Sequence, residues 1–131
     1  PALVVPTTGN PLPAIARDAA DRERQLGRPG WEIMLLQTAT QFGDPTTAAR
    51  LAELAPSVQG PRAAAAAAHA VALASADGGG LLEASKRYEQ FGDLLAAADA
   101  AAGVQAGAAL HGNDQGPVPR VAARSIGRGR A

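Results

Sequence analysis

Cysteine is absent from this chain of 131 residues, and the aromatics are reduced to one Trp, one Tyr and two Phe. Without thiols there is no disulfide framework and no thiolate metal site. An excess of charge of one sign is lacking too, since 12 basic residues balance 12 acidic ones. That balance removes the electrostatic case for nucleic acid or an anionic membrane as a partner. No uninterrupted apolar run approaches the roughly 18 residues that a membrane-spanning helix needs. The opening, Pro1-Ala2-Leu3-Val4-Val5-Pro6, has neither the basic region nor the apolar stretch of a signal peptide, and a cytoplasmic location is expected. The length suits one domain at most. Met34 is the only methionine, and the expectation is a piece of a longer protein.

What the chain does have is alanine, which supplies about half or more of its 47% hydrophobic content. Alanine is the best helix former but buries little area, so close-packed helices of modest stability are expected. The second positive feature is a repeated string. Gln41-Phe42-Gly43-Asp44 recurs as Gln90-Phe91-Gly92-Asp93, a spacing of 49 residues from Gln41 to Gln90. In each copy Gly suits the left-handed residue that closes a helix, and Asp suits the N-cap of the next. Pro45 would then occupy a first helical position. Gly43, Asp44 and Pro45, with Gly92 and Asp93, are therefore read as structural turns between paired helices.

Periodicity and punctuation divide the chain into an extended lead-in over 1–13, a helical-repeat domain over 14–110, and a flexible basic tail over 111–131. Six helices are predicted, over 14–26, 31–42, 45–55, 62–76, 81–91 and 94–110. The first should bury Ile15, Ala19 and Leu26. The second should bury the stripe Trp31, Leu35, Thr38 and Phe42. The third should bury Ala48, Leu51, Ala52 and Ala55, and the fifth Leu81, Ala84, Tyr88 and Phe91. Asp77-Gly78-Gly79-Gly80 reads as a helix stop, and His111 to Pro117 as a loop. No segment alternates with period two, so the fold class is all-α. Helical-hairpin repeats are expected to form a tetratricopeptide-like α-solenoid of about six helices. The spacing exceeds the roughly 34 residues of a two-helix tetratricopeptide unit, and three helices per period fit it.

Candidate chemistry is sparse. Asp44 and Asp93 could be catalytic carboxylates, but capping accounts for both copies at once. His69 and His111 are the only histidines, and a zinc site needs three or four convergent ligands. His69 is read as a helix-surface or groove residue. Ser57, Ser75, Ser85 and Ser125 lack the G-x-S-x-G setting of a nucleophile. The glycines at 78–80 lack the Lys of a phosphate loop. Arg120, Arg124, Arg128 and Arg130 are read as a solvated end, with no aromatic near them for base stacking. Trp31, Phe42, Tyr88 and Phe91 read as hairpin core. No catalytic residue, cofactor or metal is expected, and the chain is not read as an enzyme.

Two runs carry a resemblance. Trp31-Glu32-Ile33-Met34-Leu35-Leu36-Gln37-Thr38-Ala39-Thr40-Gln41-Phe42-Gly43-Asp44 continues into Ala48-Ala49-Arg50-Leu51-Ala52-Glu53-Leu54, and the second run is Tyr88 to Ala102. Over residues 10–110 they resemble the helical region of large actinobacterial LuxR-family regulators. Those regulators join an ATPase module to a tetratricopeptide-like solenoid and a helix-turn-helix domain. The ATPase motifs and the helix-turn-helix opening have no counterpart in this sequence. The resemblance implies a non-enzymatic sensor, coupling arm or protein-interaction scaffold. Its partners would be protein segments or other domains of a larger regulator, and a homodimer through the solenoid ends is allowed. Trp31, Gln37 and Tyr88 are the candidate groove residues. The alternative is a free-standing tetratricopeptide-like adaptor that binds a peptide and has no part in transcription.

Overall fold

Proline opens three of the six helices among the described residues. In the computed structural model, which describes residues 9–115 and the side chains of 9–104, α1 spans Leu12–Gln25, α2 Pro29–Gln41 and α3 Ala48–Leu54. A 3-10 turn over Ala55–Ser57 follows, then α4 over Pro61–Ala74, α5 over Gly78–Gln90 and α6 over Leu94–Gln115. Pro13, Pro29 and Pro61 lie in the first turns of α1, α2 and α4, where a missing N–H costs nothing. The fold is all-α, with no strand among the described residues. The lead-in over residues 1–8 and the basic tail over 116–131 lie outside the described residues.

Both repeated corners close their helices in the same way. After α2, the Asp44 N–H donates to Ala39 O at 3.0 Å and the Gly43 N–H to Thr40 O at 2.8 Å. After α5, Asp93 N–H reaches Tyr88 O and Gly92 N–H reaches Glu89 O, both at 3.0 Å. These paired bonds define the Schellman motif, which needs a left-handed residue just past the helix. Gly43 has φ of 93° and Gly92 of 87°, as the string predicts. A further corner of this kind lies between α4 and α5, where Asp77 N–H donates to Ala72 O at 2.9 Å. There the left-handed position is held by Ala76, at φ 54°.

Beyond the glycines the two copies diverge. Asp93 caps α6, its Oδ1 accepting the Ala96 N–H at 3.1 Å. Asp44 does not cap α3. Its Oδ1 accepts from both the N–H and the hydroxyl of Thr46, at 2.8 and 2.6 Å, and its Oδ2 pairs with Arg17 Nε at 2.8 Å. This side-chain turn occupies the residues that Pro45 was expected to make helical, so α3 begins at Ala48 and has only 7 residues. As a result α5 and α6 pack along each other, whereas α2 packs chiefly on α1 and α4 and only slightly on α3. The predicted hairpin therefore forms fully at the second copy alone.

Helix α4 is the centre of the molecule. Ala63, Ala66 and Ala70 join Ala20, Ile33, Leu36, Leu51 and Leu54 in one core. Ala65 joins Tyr88, Ala96, Ala97 and Ala100 in the other. A helix buried on two sides has room for few bulky residues, and the alanine run provides small ones at every buried position of α4 except His69.

Several predicted faces are corrected by the packing. In α1 the buried residues are Ala16 and Ala20, while Ile15 and Leu26 are exposed. In α2 the stripe is rotated: Trp31 and Phe42 lie outward at 58% and 46% exposure, and Ile33, Leu36 and Ala39 lie inward. Two polar residues turn inward with them. Glu32, 2% exposed, pairs with Arg24 Nε at 3.2 Å and Arg50 Nε at 2.8 Å, tying α1 and α3 to α2. Thr40 donates to Leu36 O and meets the Thr47 hydroxyl at 2.6 Å. In α3 the buried residues are Leu51 and Leu54, and Ala52 is exposed. The glycines at 78–80 do not stop α4; they form the first turn of α5, with Asp77 Oδ1 accepting the Gly80 N–H at 3.0 Å. Helix α6 runs five residues past Leu110, through the start of the expected loop.

A Cβ at residue 43 or 92 would meet nothing within 4 Å, so substitution there costs backbone strain alone. Gly92→Val should lower stability by about 1–2 kcal/mol, and Ala76→Gly should raise it by about 1 kcal/mol. Urea or thermal melts read both signs. No loss at residue 92, or a loss at residue 76, contradicts the corner geometry.

Candidate functional site

The two copies of the repeated string meet in space. Gln41 and Phe42 from the first, and Phe91, Gly92 and Asp93 from the second, line one open cleft of about 700 Å³. Helix α2 adds Met34, Gln37 and Thr38 on the side opposite Leu95 and Asp99 of α6, and α4 adds Arg62. Helix α2 and α6 otherwise touch little. Side chains span the gap between them.

The polar part of the cleft is a connected set of bonds. Arg62 Nη1 donates to Asp93 Oδ2 at 2.6 Å and to Gln37 Oε1 at 3.0 Å. Gln37 Nε2 donates to the same Asp93 oxygen at 3.1 Å and to Gln41 Oε1 at 2.9 Å. Gln41 Nε2 in turn donates to Asp99 Oδ2 at 2.8 Å. The Arg62 guanidinium also lies 5.1 Å from the centre of the Phe91 ring, within cation–π range. Burial pushes the Asp93 carboxyl up. The bonds from Arg62, the Ala96 N–H and Gln37 more than offset this and hold it below the ordinary carboxylate range.

The apolar part is the outward stripe of α2 and its counterpart on α6. Met34, Phe42 and Leu95 are 43%, 46% and 70% exposed. Phe91, half-buried, forms the floor between the cleft and the core. Exposed apolar groups gathered in a concavity rimmed by polar ones are suited to binding.

Of the expected groove residues, only Gln37 lines the cleft. Trp31 sits at the first turn of α2, outside it. Tyr88 is fully buried, so it presents no groove surface. Its hydroxyl lies 3.1 Å from His69 Nδ1, and its ring stacks edge-on against His69 and Phe91. His69, expected on a surface or groove, is itself 2% exposed. Sequence reasoning missed Met34, Gln41, Arg62, Leu95 and Asp99 as lining residues. Gln41 carried a signal, because it belongs to the repeated string. The others are ordinary residues of amphipathic helices that topology alone brings together.

Asp93 is engaged by three donors. The hydroxyls of Ser57, Ser75 and Ser85 donate to the carbonyls of Leu54, Val71 and Ala97. No cluster of three metal-ligating side chains occurs among the described residues. Likewise no helix among them is long and apolar enough to cross a membrane. Ser125 and the arginines of the tail lie outside the described residues, as does the His111 side chain. Comparison of the chain with protein-family models, curated proteins and solved structures finds no match.

The buried His69 supplies a pH signature. Burial lowers its pKa from 6.5 to about 4, partly countered by Asp99. Between those values the unfolded chain binds a proton that the folded chain refuses, so stability falls as pH drops. From pH 7 to pH 5 the loss should be about 2 kcal/mol, and His69→Gln should remove most of it. Asp93 acts lower, because its depressed pKa withdraws stability only below about pH 4. Denaturant titrations at the two pH values decide the point; equal slopes in wild type and variant contradict it.

Proposed function

We propose that this chain is a non-enzymatic helical scaffold from a cytoplasmic LuxR-type transcriptional regulator, in which the cleft between α2 and α6 receives a segment of a neighbouring domain or protein. The observation that carries this reading is the meeting of the two Gln-Phe-Gly-Asp strings in one concavity. The likeness of the Trp31–Leu54 and Tyr88–Ala102 runs to the helical region of such regulators supplies the context. The cleft itself supplies the mechanism. Its walls touch little and are joined by side-chain bonds, so an occupant that reorganises Gln37 and Gln41 would bias how α2 sits against α6. Occupancy thus becomes a shift in helix packing, provided the occupant binds one arrangement better than the other.

Site-specific photo-cross-linking in the native host tests the reading. A photoreactive residue at Phe42 should cross-link to a segment of an ATPase or helix-turn-helix module, in the same polypeptide or a bound one. Glu83, exposed on α5, is the control position. Equal labelling at both positions contradicts the docking role of the cleft. Cross-links at Phe42 confined to proteins with neither module contradict the regulator assignment and favour the free-standing adaptor.

A further inference from the structure

We infer that the segment this cleft recognises is amphipathic and basic, with apolar side chains meeting Met34, Phe42 and Leu95 and a Lys or Arg side chain meeting Asp99. The inference rests on reading the cleft as a docking site and specifies what docks there. The charge of the occupant follows from which groups are already committed. Two features of the cleft would attract an anion, the Arg62 guanidinium and the N-terminus of α6. Both are spent within the protein. Arg62 is held by Asp93 Oδ2 at 2.6 Å and lies over Phe91. Asp93 also caps α6 through the Ala96 N–H, placing a carboxylate where a ligand anion would sit.

Asp99 is in the opposite position. One of its oxygens accepts from Gln41 Nε2, a neutral donor, and no cation pairs with it among the described residues. The formal charges of Arg62, Asp93 and Asp99 leave the cleft with one uncompensated negative charge. Asp99 is half-buried, so that charge is less fully solvated than one on an open surface. A cation arriving there gains a partner without displacing one. The apolar walls fix the rest of the occupant's character. Their aliphatic and aromatic groups, one of them an adaptable Met, suit bulky apolar side chains spaced along a helix or short extended segment.

Three synthetic peptides of about 12 residues test this, sharing one leucine pattern and carrying Lys, Gln or Glu at the polar positions. Fluorescence anisotropy with the full chain gives affinity. Phe42→Ala reports the apolar contact and Asp99→Asn the charge, the latter retaining an oxygen for Gln41. The Lys peptide should bind best and weaken as salt rises from about 50 to about 500 mM. Asp99→Asn should weaken it by about two- to fivefold, the upper range for a partly exposed ion pair, while leaving the Gln peptide unchanged. Phe42→Ala should weaken both. Equal or tighter binding of the Gln or Glu peptide, or a Lys peptide indifferent to Asp99→Asn and to salt, overturns the basic-partner assignment and leaves the docking cleft standing. Failure of all three peptides to bind, or binding indifferent to Phe42→Ala, overturns both.

Discussion

The close approach of neighbouring helices to α4 is the constraint on which the rest of this molecule depends. Helix α4 packs against α2 and α3 on one side and α5 on the other, so it has little room for side chains. Alanine at residues 63, 65, 66 and 70, each 2% exposed or less, meets that requirement. The consequence is a protein with two small cores sharing one helix. Each core is completed by a few larger groups, Ile33, Leu36 and Leu51 in the first and Tyr88 in the second. Alanine methyls bury little area, so the hydrophobic gain per residue is modest. Polar ties supplement it at the seams. Glu32 joins three helices through two arginines, and His69 meets Tyr88 inside the second core.

That central helix also determines the cleft. By holding α2 on one side and α5 on the other, α4 brings the C-terminal ends of both helices to one cleft, which Phe42 and Phe91 line. Arg62, in its first turn, is thereby in reach of both Gln37 and Asp93. A chain of bonds through Gln41 then extends to Asp99 on α6. The cleft is thus a product of the same packing that builds the cores, and Phe91 belongs to both.

Much of the architecture was legible in the sequence because its punctuation is local. Proline at a helix start and glycine past a helix end act through their own backbone, and the six helices among the described residues and the left-handed Gly43 and Gly92 follow from them. Helix faces were less legible. Aromatics at helical spacing usually mark a core face, yet on α2 Ile33, Leu36 and Ala39 hold the interior and Trp31 and Phe42 face outward. The reason is tertiary: α2 is buried by two neighbours, and Glu32 and Thr40 enter with their bonding partners, none of which shows in a single-helix pattern. Asp44 misled in a different way. Its Asx turn with Thr46 competes with capping for the same carboxylate, and Arg17, from a distant helix, tips the outcome. Of the cleft, Gln37 was read directly, and the repeated string marked Gln41 and Asp93 without revealing that the two copies converge.

The most direct measurement compares two leucine substitutions two residues apart in α4. Ala66 is fully buried and Ala64 exposed, although both lie in the same alanine run. Overpacking at residue 66 should cost about 1–3 kcal/mol in urea melts, while Ala64→Leu should change stability by no more than about 0.5 kcal/mol. Equal tolerance at both positions would mean that α4 is not pressed between two layers, and the account of cores and cleft would fail with it.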